Sequence, residues 1–157
     1  MASPRAAPGE RRRIVIGRAD AFPPGTRTRV EVDGRAIAVF NEGGSFYALR
    51  DACPHMGAPL SAGTVWGLIR PEGGGSYEFS TDRKMVRCPW HGWEYELATG
   101  QSWYRPQTDR VKAYEVSVEQ GSALNDAEPL RNGLVPGPYV AETFSISVND
   151  DYVVVEL

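Results

Sequence analysis

The order of apolar and polar positions along the chain predicts short strands almost throughout. Residues 26–40, TRTRVEVDGRAIAVF, form two alternating runs joined by Asp33-Gly34. Alternation puts every second side chain on one face of a strand, and an Asp-Gly pair between two such runs is the signal for a two-residue type I′ hairpin. NEGGS at 41–45 turns the chain again, into FYALR at 46–50. Further on, VKAYEVSVE at 111–119 alternates in the same way, and ETFSISVNDDYVVVEL at 142–157 is expected to close the chain as a hairpin around Asn149 to Asp151. No segment sustains a 3.6-residue apolar period over the roughly twelve residues a helix needs. The expected fold class is all-β.

Two stretches break the pattern: GLIRPEGGGSYEFSTDRK at 67–84 and QGSALNDAEPLRNGLVPGPYVA at 120–141. Both read as long loops, which in a compact domain are usually functional or mobile. Within the first, PEGGGSYEFSTDRK is a candidate extra hairpin, and in the second Pro129, Pro136 and Pro138 point to an ordered wrap over the sheet. Residues 1–12, rich in Ala, Pro and Arg, are expected to form a flexible tail. AYEVSVE and TFSISVN share a pattern, as alternating strands do by default, and indicate no duplication.

Composition narrows the picture. A chain of 157 residues suits one domain, 1–157, large enough to bury a core without a metal or a disulfide. Seventeen glycines and 12 prolines fit many turns between short strands. A net charge of -3 provides no basic field for a nucleic-acid backbone, which argues against that partner. No run of about 18 apolar residues exists to span a membrane. Arg11, Arg12 and Arg13 precede only Ile14, Val15 and Ile16 before charge and Gly return, too short for an export signal. The expected location is the cytoplasm.

The candidate chemistry lies in two loops, DACPHMGAPLSAG at 51–63 and VRCPWHGWEYELATG at 86–100. They hold both cysteines and both histidines of the chain: Cys53, His55, Cys88 and His91. Pro54 and Pro89 stiffen the backbone between the ligands, and Gly57 and Gly92 let the loops turn tightly around something bulky. Three readings use these residues. A Cys53–Cys88 disulfide leaves the histidines unexplained and is out of place in a cytosolic chain. A structural zinc accepts two thiolates and two imidazoles, although zinc modules usually segregate the two pairs. The third is an iron-sulfur cluster.

CPH with CPWHGWEY, flanked by HMGAPLSAG and HGWEYELATG, resembles the Rieske family over roughly residues 30–119 and the final strand. The resemblance implies a Rieske-type antiparallel β sandwich or barrel with a small cluster-binding subdomain inserted at about residues 50–105. It also implies one 2Fe-2S cluster, with Cys53 and Cys88 on one iron and His55 and His91 on the exposed one. Two ferric ions, two sulfides and two thiolates sum to zero charge, whereas four thiolates leave two negative charges. An electron therefore enters the two-histidine form more easily, at roughly -150 to +300 mV against about -400 mV. The outer ring nitrogens should face solvent or a partner, giving a short electron exit and coupling reduction to imidazole protonation.

Departures from the family's branches decide among them. Cytochrome bc-type subunits pin the ligand loops with an extra cysteine in each; here Ala58 and Trp90 stand at those positions. The same type donates hydrogen bonds to sulfur from a serine and a tyrosine. The serine position is Trp93, with no hydroxyl, but Tyr95 stands at the tyrosine position and is expected to reach the Cys53 sulfur. A terminal oxygenase needs a second iron held by two histidines and a carboxylate, and both histidines are already used. What remains is a ferredoxin-like one-electron carrier, without a catalytic residue of its own, between a flavin-containing reductase and an oxygenase. The alternative is an accessory or redox-sensing subunit. The gap between His55 and Cys88, residues 56–87, is about twice the family's usual one, with 67–84 as the surplus. Trp66, Trp90, Trp93, Trp103 and Tyr104 crowd the ligand region; Trp93 and Trp103 are expected in the core, Trp90 on a contact surface.

Overall fold

A computed structural model describes residues 11–102, 109–125, 127–129 and 148–157, with backbone alone for 68–73, 76–83 and 128–129. Trp103, Tyr104, Pro136, Pro138, residues 1–10 of the expected tail and the first strand of the expected terminal hairpin lie outside the described residues. Among the described residues ten strands run in the order β1 Arg13–Arg18, β2 Arg27–Val32, β3 Arg35–Glu42, β4 Ser45–Arg50, β5 Thr64–Gly73, β6 Ser76–Arg87, β7 Glu94–Glu96, β8 Ala113–Gln120, β9 Glu128–Pro129 and β10 Asp151–Glu156. Among the described residues the only helical elements are three single 3-10 turns, at Ala19–Ala21, Leu60–Ala62 and Gly121–Ala123. The chain is all-β.

Seven strands make one sheet, in the order β2-β3-β4-β8-β10-β1-β9, and three make another, β5-β6-β7. The β2–β3 hairpin forms in the expected register, Val32 opposite Arg35, and both turn residues, Asp33 (φ 51°) and Gly34 (φ 76°), take the positive φ of a type I′ turn. The large sheet curls far enough that Ile14 and Ile16 of β1 share a core with Val32 of β2, Ile37 and Val39 of β3, and Val153 and Val155 of β10. The opposite face of β3 and β4, with Ala38, Phe40 and Leu49, packs on a second core shared with the two ligand loops. Val15, Leu124, Tyr152 and Val154 form a third cluster outside β1 and β10.

This layering explains where the sequence pattern misleads. β2 alternates because one of its faces is open, whereas β3 is buried from Ile37 to Asn41 because both of its faces carry a core. β1 is likewise apolar on both faces, so its three-residue run carries no period and is not legible as a strand. Arg12, inside the expected tail, is held in place: it and Leu157 exchange backbone hydrogen bonds of 3.3 and 2.8 Å, and it pairs with Asp33. β10 pairs with β1 on one edge and β8 on the other, which leaves no edge on it for the expected hairpin partner. The stretch 67–84 is no loop but the long β5–β6 hairpin, Gly73 opposite Ser76, as its PEGGGSYEFSTDRK segment predicted. Pro129 joins the sheet through β9, parallel to β1.

Ile37 is fully buried between β2 and β4. Ile37→Ala should lower unfolding free energy by about 2–5 kcal/mol, measured by urea denaturation, since the rigid strands around it cannot close the cavity.

Candidate metal centre

The site is built from two loops of one design. Loop A, residues 53–58, follows β4; loop B, residues 88–93, joins β6 to β7. In each, the cysteine N–H donates to the carbonyl five residues on, Cys53 to Ala58 at 2.8 Å and Cys88 to Trp93 at 2.7 Å. In each, the glycine four residues after the cysteine donates its N–H back to the cysteine carbonyl, Gly57 to Cys53 at 2.7 Å and Gly92 to Cys88 at 3.0 Å. Closing that ring needs a left-handed residue, and Gly57 (φ 80°) and Gly92 (φ 72°) supply it. The two motifs differ in spacing but reach the same backbone geometry.

The loops point the four candidate ligands two ways. Cys53 and Cys88 are each 2% exposed and belong to the second core, while His55 and His91 are exposed. The histidine rings meet edge to face, centroids 4.7 Å apart and planes at 77°. Tyr95, fully buried on β7, sets its Oη 3.3 Å from the Cys53 Sγ, the contact that the sequence led us to expect. Burial pushes the Cys53 thiol up; the Tyr95 hydroxyl and the His55 backbone N–H act against this, and Cys88 adds to it. Burial also pushes the Tyr95 phenol far up, with Cys53 adding to the rise, so Tyr95 is a neutral hydroxyl able to donate.

Three contacts fix the loops to each other and to the barrel. Asp51, 2% exposed, accepts from the Ser61 N–H at 2.7 Å and Ser61 Oγ at 2.6 Å, and pairs with Arg29 Nη1 at 3.1 Å, so the chain entering loop A is tied to the chain leaving it. Thr64 of β5 lies opposite Arg87 of β6, which carries the end of loop A's excursion to the residue before Cys88. The Arg87 guanidinium lies 4.2 Å over the half-buried Trp66 ring and 3.3 Å from Glu94, closing loop B at its base. Asp51 was not singled out in the sequence, although it opens the DACPHMG motif.

The aromatic residues divide differently from expectation. Trp93 is half-buried against the second core, but its ring also stacks on His55, centroids 4.6 Å apart and planes within 7°. It is not core alone. Trp90 is 57% exposed, and Met56, unremarked in the sequence, is 61% exposed beside His55. The signal for Met56 was its place between a ligand and a tight-turn glycine, which leaves the side chain no interior to enter.

Two buried thiols and two exposed imidazoles stand on these two loops, a donor set that suits a group with two metal centres, each taking two protein ligands.

Residues 12–115 match the family described as Rieske [2Fe-2S] domain. The 3-phenylpropionate/cinnamic acid dioxygenase ferredoxin subunit of Shigella flexneri serotype 5b (strain 8401) is 34% identical over 104 residues, 66% of this chain and 83% of that protein. Among solved structures, the ferredoxin of carbazole 1,9a-dioxygenase from Nocardioides aromaticivorans IC177 is 27% identical with a TM-score of 0.51, covering 69% of this chain and 90% of its own. A complex of reduced oxygenase and oxidized ferredoxin in carbazole 1,9a-dioxygenase matches at 30% identity and a TM-score of 0.50, over 67% of this chain and 83% of that one.

A Cβ at Gly63 would stand 2.1 Å from the Arg87 carbonyl oxygen, whereas one at Gly57 would meet nothing within 4 Å. Gly63→Ala should therefore cost about 3 kcal/mol or more, at the upper end of overpacking effects, and Gly57→Ala about 1–2 kcal/mol from its left-handed backbone alone. Urea titration of the two variants side by side checks the difference.

Proposed function

The chain belongs to the Rieske 2Fe-2S family, and from that premise we propose that it is a one-electron carrier that takes an electron from a flavin-containing reductase and delivers it to a Rieske-type oxygenase. It carries one Rieske-type 2Fe-2S cluster. When bound, the cluster supplies a one-electron couple. Cys53 and Cys88 would hold its inner iron and His55 and His91 its outer one.

The observation that carries this reading is the split in burial: sulfur ligands sealed in a core, imidazoles at the surface. The core keeps water from the thiolates, and the exposed rings offer the shortest way in and out for an electron. Exposed Trp90 and Met56, with Pro54 and Pro89, make an apolar rim around the histidines. Such a rim suits a brief encounter with a protein partner. The names of the relatives support the same assignment: one is a dioxygenase ferredoxin subunit, and one structure pairs a ferredoxin with its oxygenase. Both histidines of the 157 residues are assigned to the cluster in this reading, which leaves these residues no two-histidine site for a mononuclear iron. The reading places the chain in the cytoplasm, where buried thiols stay reduced. Among the described residues no helix is long and apolar enough to cross a membrane.

Tyr95 would donate to the Cys53 sulfur, and a donor stabilises the reduced, more negative cluster, so it raises the potential. Trp93 stands where the resemblance puts a serine and offers no hydroxyl there.

The test is to quantify iron and acid-labile sulfide in the purified chain and to follow electron transfer from a flavin-containing reductase to a Rieske oxygenase by stopped flow. About two of each per chain are expected; one metal and no sulfide overturns the assignment, and a reducible cluster that passes no electron overturns the carrier role. Tyr95→Phe should lower the midpoint potential by about 40 mV, the one-electron equivalent of about 1 kcal/mol for one hydrogen bond. Redox titration of both proteins checks it.

A further inference from the structure

The two histidine rings are not held alike. His91 meets the edge or face of His55, whereas His55 also has the Trp93 indole laid flat on it, centroids 4.6 Å apart and planes 7° from parallel. Trp93 belongs to loop B by its backbone: its carbonyl accepts the Cys88 N–H at 2.7 Å. Its ring is set against the second core, among whose members are Cys53, Cys88 and Tyr95. The histidine it touches belongs to loop A. The indole therefore bridges the two loops, which carry no cysteine besides Cys53 and Cys88 to link them by a disulfide.

We propose that Trp93 is the positioning residue for His55: its flat, core-anchored face fixes the plane of the loop A imidazole from loop B. A stacked ring can slide in its own plane but cannot tilt without losing contact, and such aromatic contacts contribute about 0.5–1.5 kcal/mol. Groups that orient a metal-bound histidine set its geometry and its hold on the metal. Where other chains place a hydroxyl, this one places a surface for the ligand to rest on. The inference rests on His55 being an iron ligand, as the function above assumes.

The experiment compares Trp93→Phe, which keeps a flat face, with Trp93→Leu, which keeps apolar bulk for the core but no face. Two quantities are read on the reduced, nitrogen-15-labelled holoprotein: the hyperfine couplings of the histidine nitrogens, and the half-life of the cluster under chelator challenge. Thermal unfolding of each variant reports the loss of packing separately. Trp93→Phe is expected to keep wild-type couplings and half-life. Trp93→Leu is expected to broaden one of the two histidine couplings and to shorten the half-life about 10-fold. Equal behaviour of the two variants in both readouts overturns the proposal, because packing alone would then account for Trp93. If Trp93→Leu does not fold, Trp93→Met takes its place with the same expected and overturning results. Absence of any histidine coupling in the wild type would overturn the ligand assignment itself, whereas wild-type couplings left unchanged by both variants would overturn only the role of Trp93.

Discussion

Everything at this site depends on bringing two loops, 53–58 and 88–93, into contact across a long stretch of intervening chain. Closing such a loop is entropically unfavourable, though the penalty grows only slowly with length. The β5–β6 hairpin removes most of it, because the intervening residues pair with one another instead of remaining free. The contact that finishes the closure is Gly63 against the Arg87 carbonyl, where even a methyl group would collide with backbone. Asp51 and Ser61 hold one loop shut, and Arg87 with Glu94 and Trp66 hold the other. No covalent link is needed when backbone approach and a buried carboxylate fix the geometry.

That closure sorts the ligands by polarity. Cysteine side chains are short and apolar enough to join Phe40, Leu49, Val86 and Leu97 in one core, while the histidines, two and three residues further on, have cleared the core and stand in solvent. A metal group held in this way has one face dry and one face wet. The dry face keeps the sulfurs out of reach of oxidants and strengthens the Tyr95 hydrogen bond, since a buried hydrogen bond gains from a low local dielectric. The wet face is where a change of charge costs least, because solvent stabilises it.

What was legible in the sequence follows from which physical signals are local. The β2–β3 hairpin declares itself through Asp33-Gly34 and the open face of β2, and the four candidate ligands draw attention through their confinement to two Pro- and Gly-bounded motifs. Tyr95 was placed against Cys53 by the family resemblance, and the 3.3 Å contact agrees with it. The misses are residues whose role is set by something distant. β1 has no period because two cores flank it, and β10 was given a sequential partner because a neighbour in sequence is the default partner of a strand, whereas both its edges go to strands far from it in the chain. Gly63 and Asp51 matter only once β6 and β2 are beside them.

Trp93 is the clearest case of a residue whose two roles separate in space. Its backbone completes the turn of loop B, and for that any residue with a carbonyl would serve. Its ring leaves the loop, packs against the second core and supports the histidine of the other loop. A serine at this position would have offered a hydrogen bond to sulfur and nothing to the imidazole. The indole reverses that choice: it has no hydroxyl, and it supplies a flat apolar surface, which orders the exposed edge of the site. In a carrier that meets its partners through that edge, a fixed imidazole lets the encounter proceed without first ordering the ligand, and that advantage belongs to association rather than to the stability of the fold.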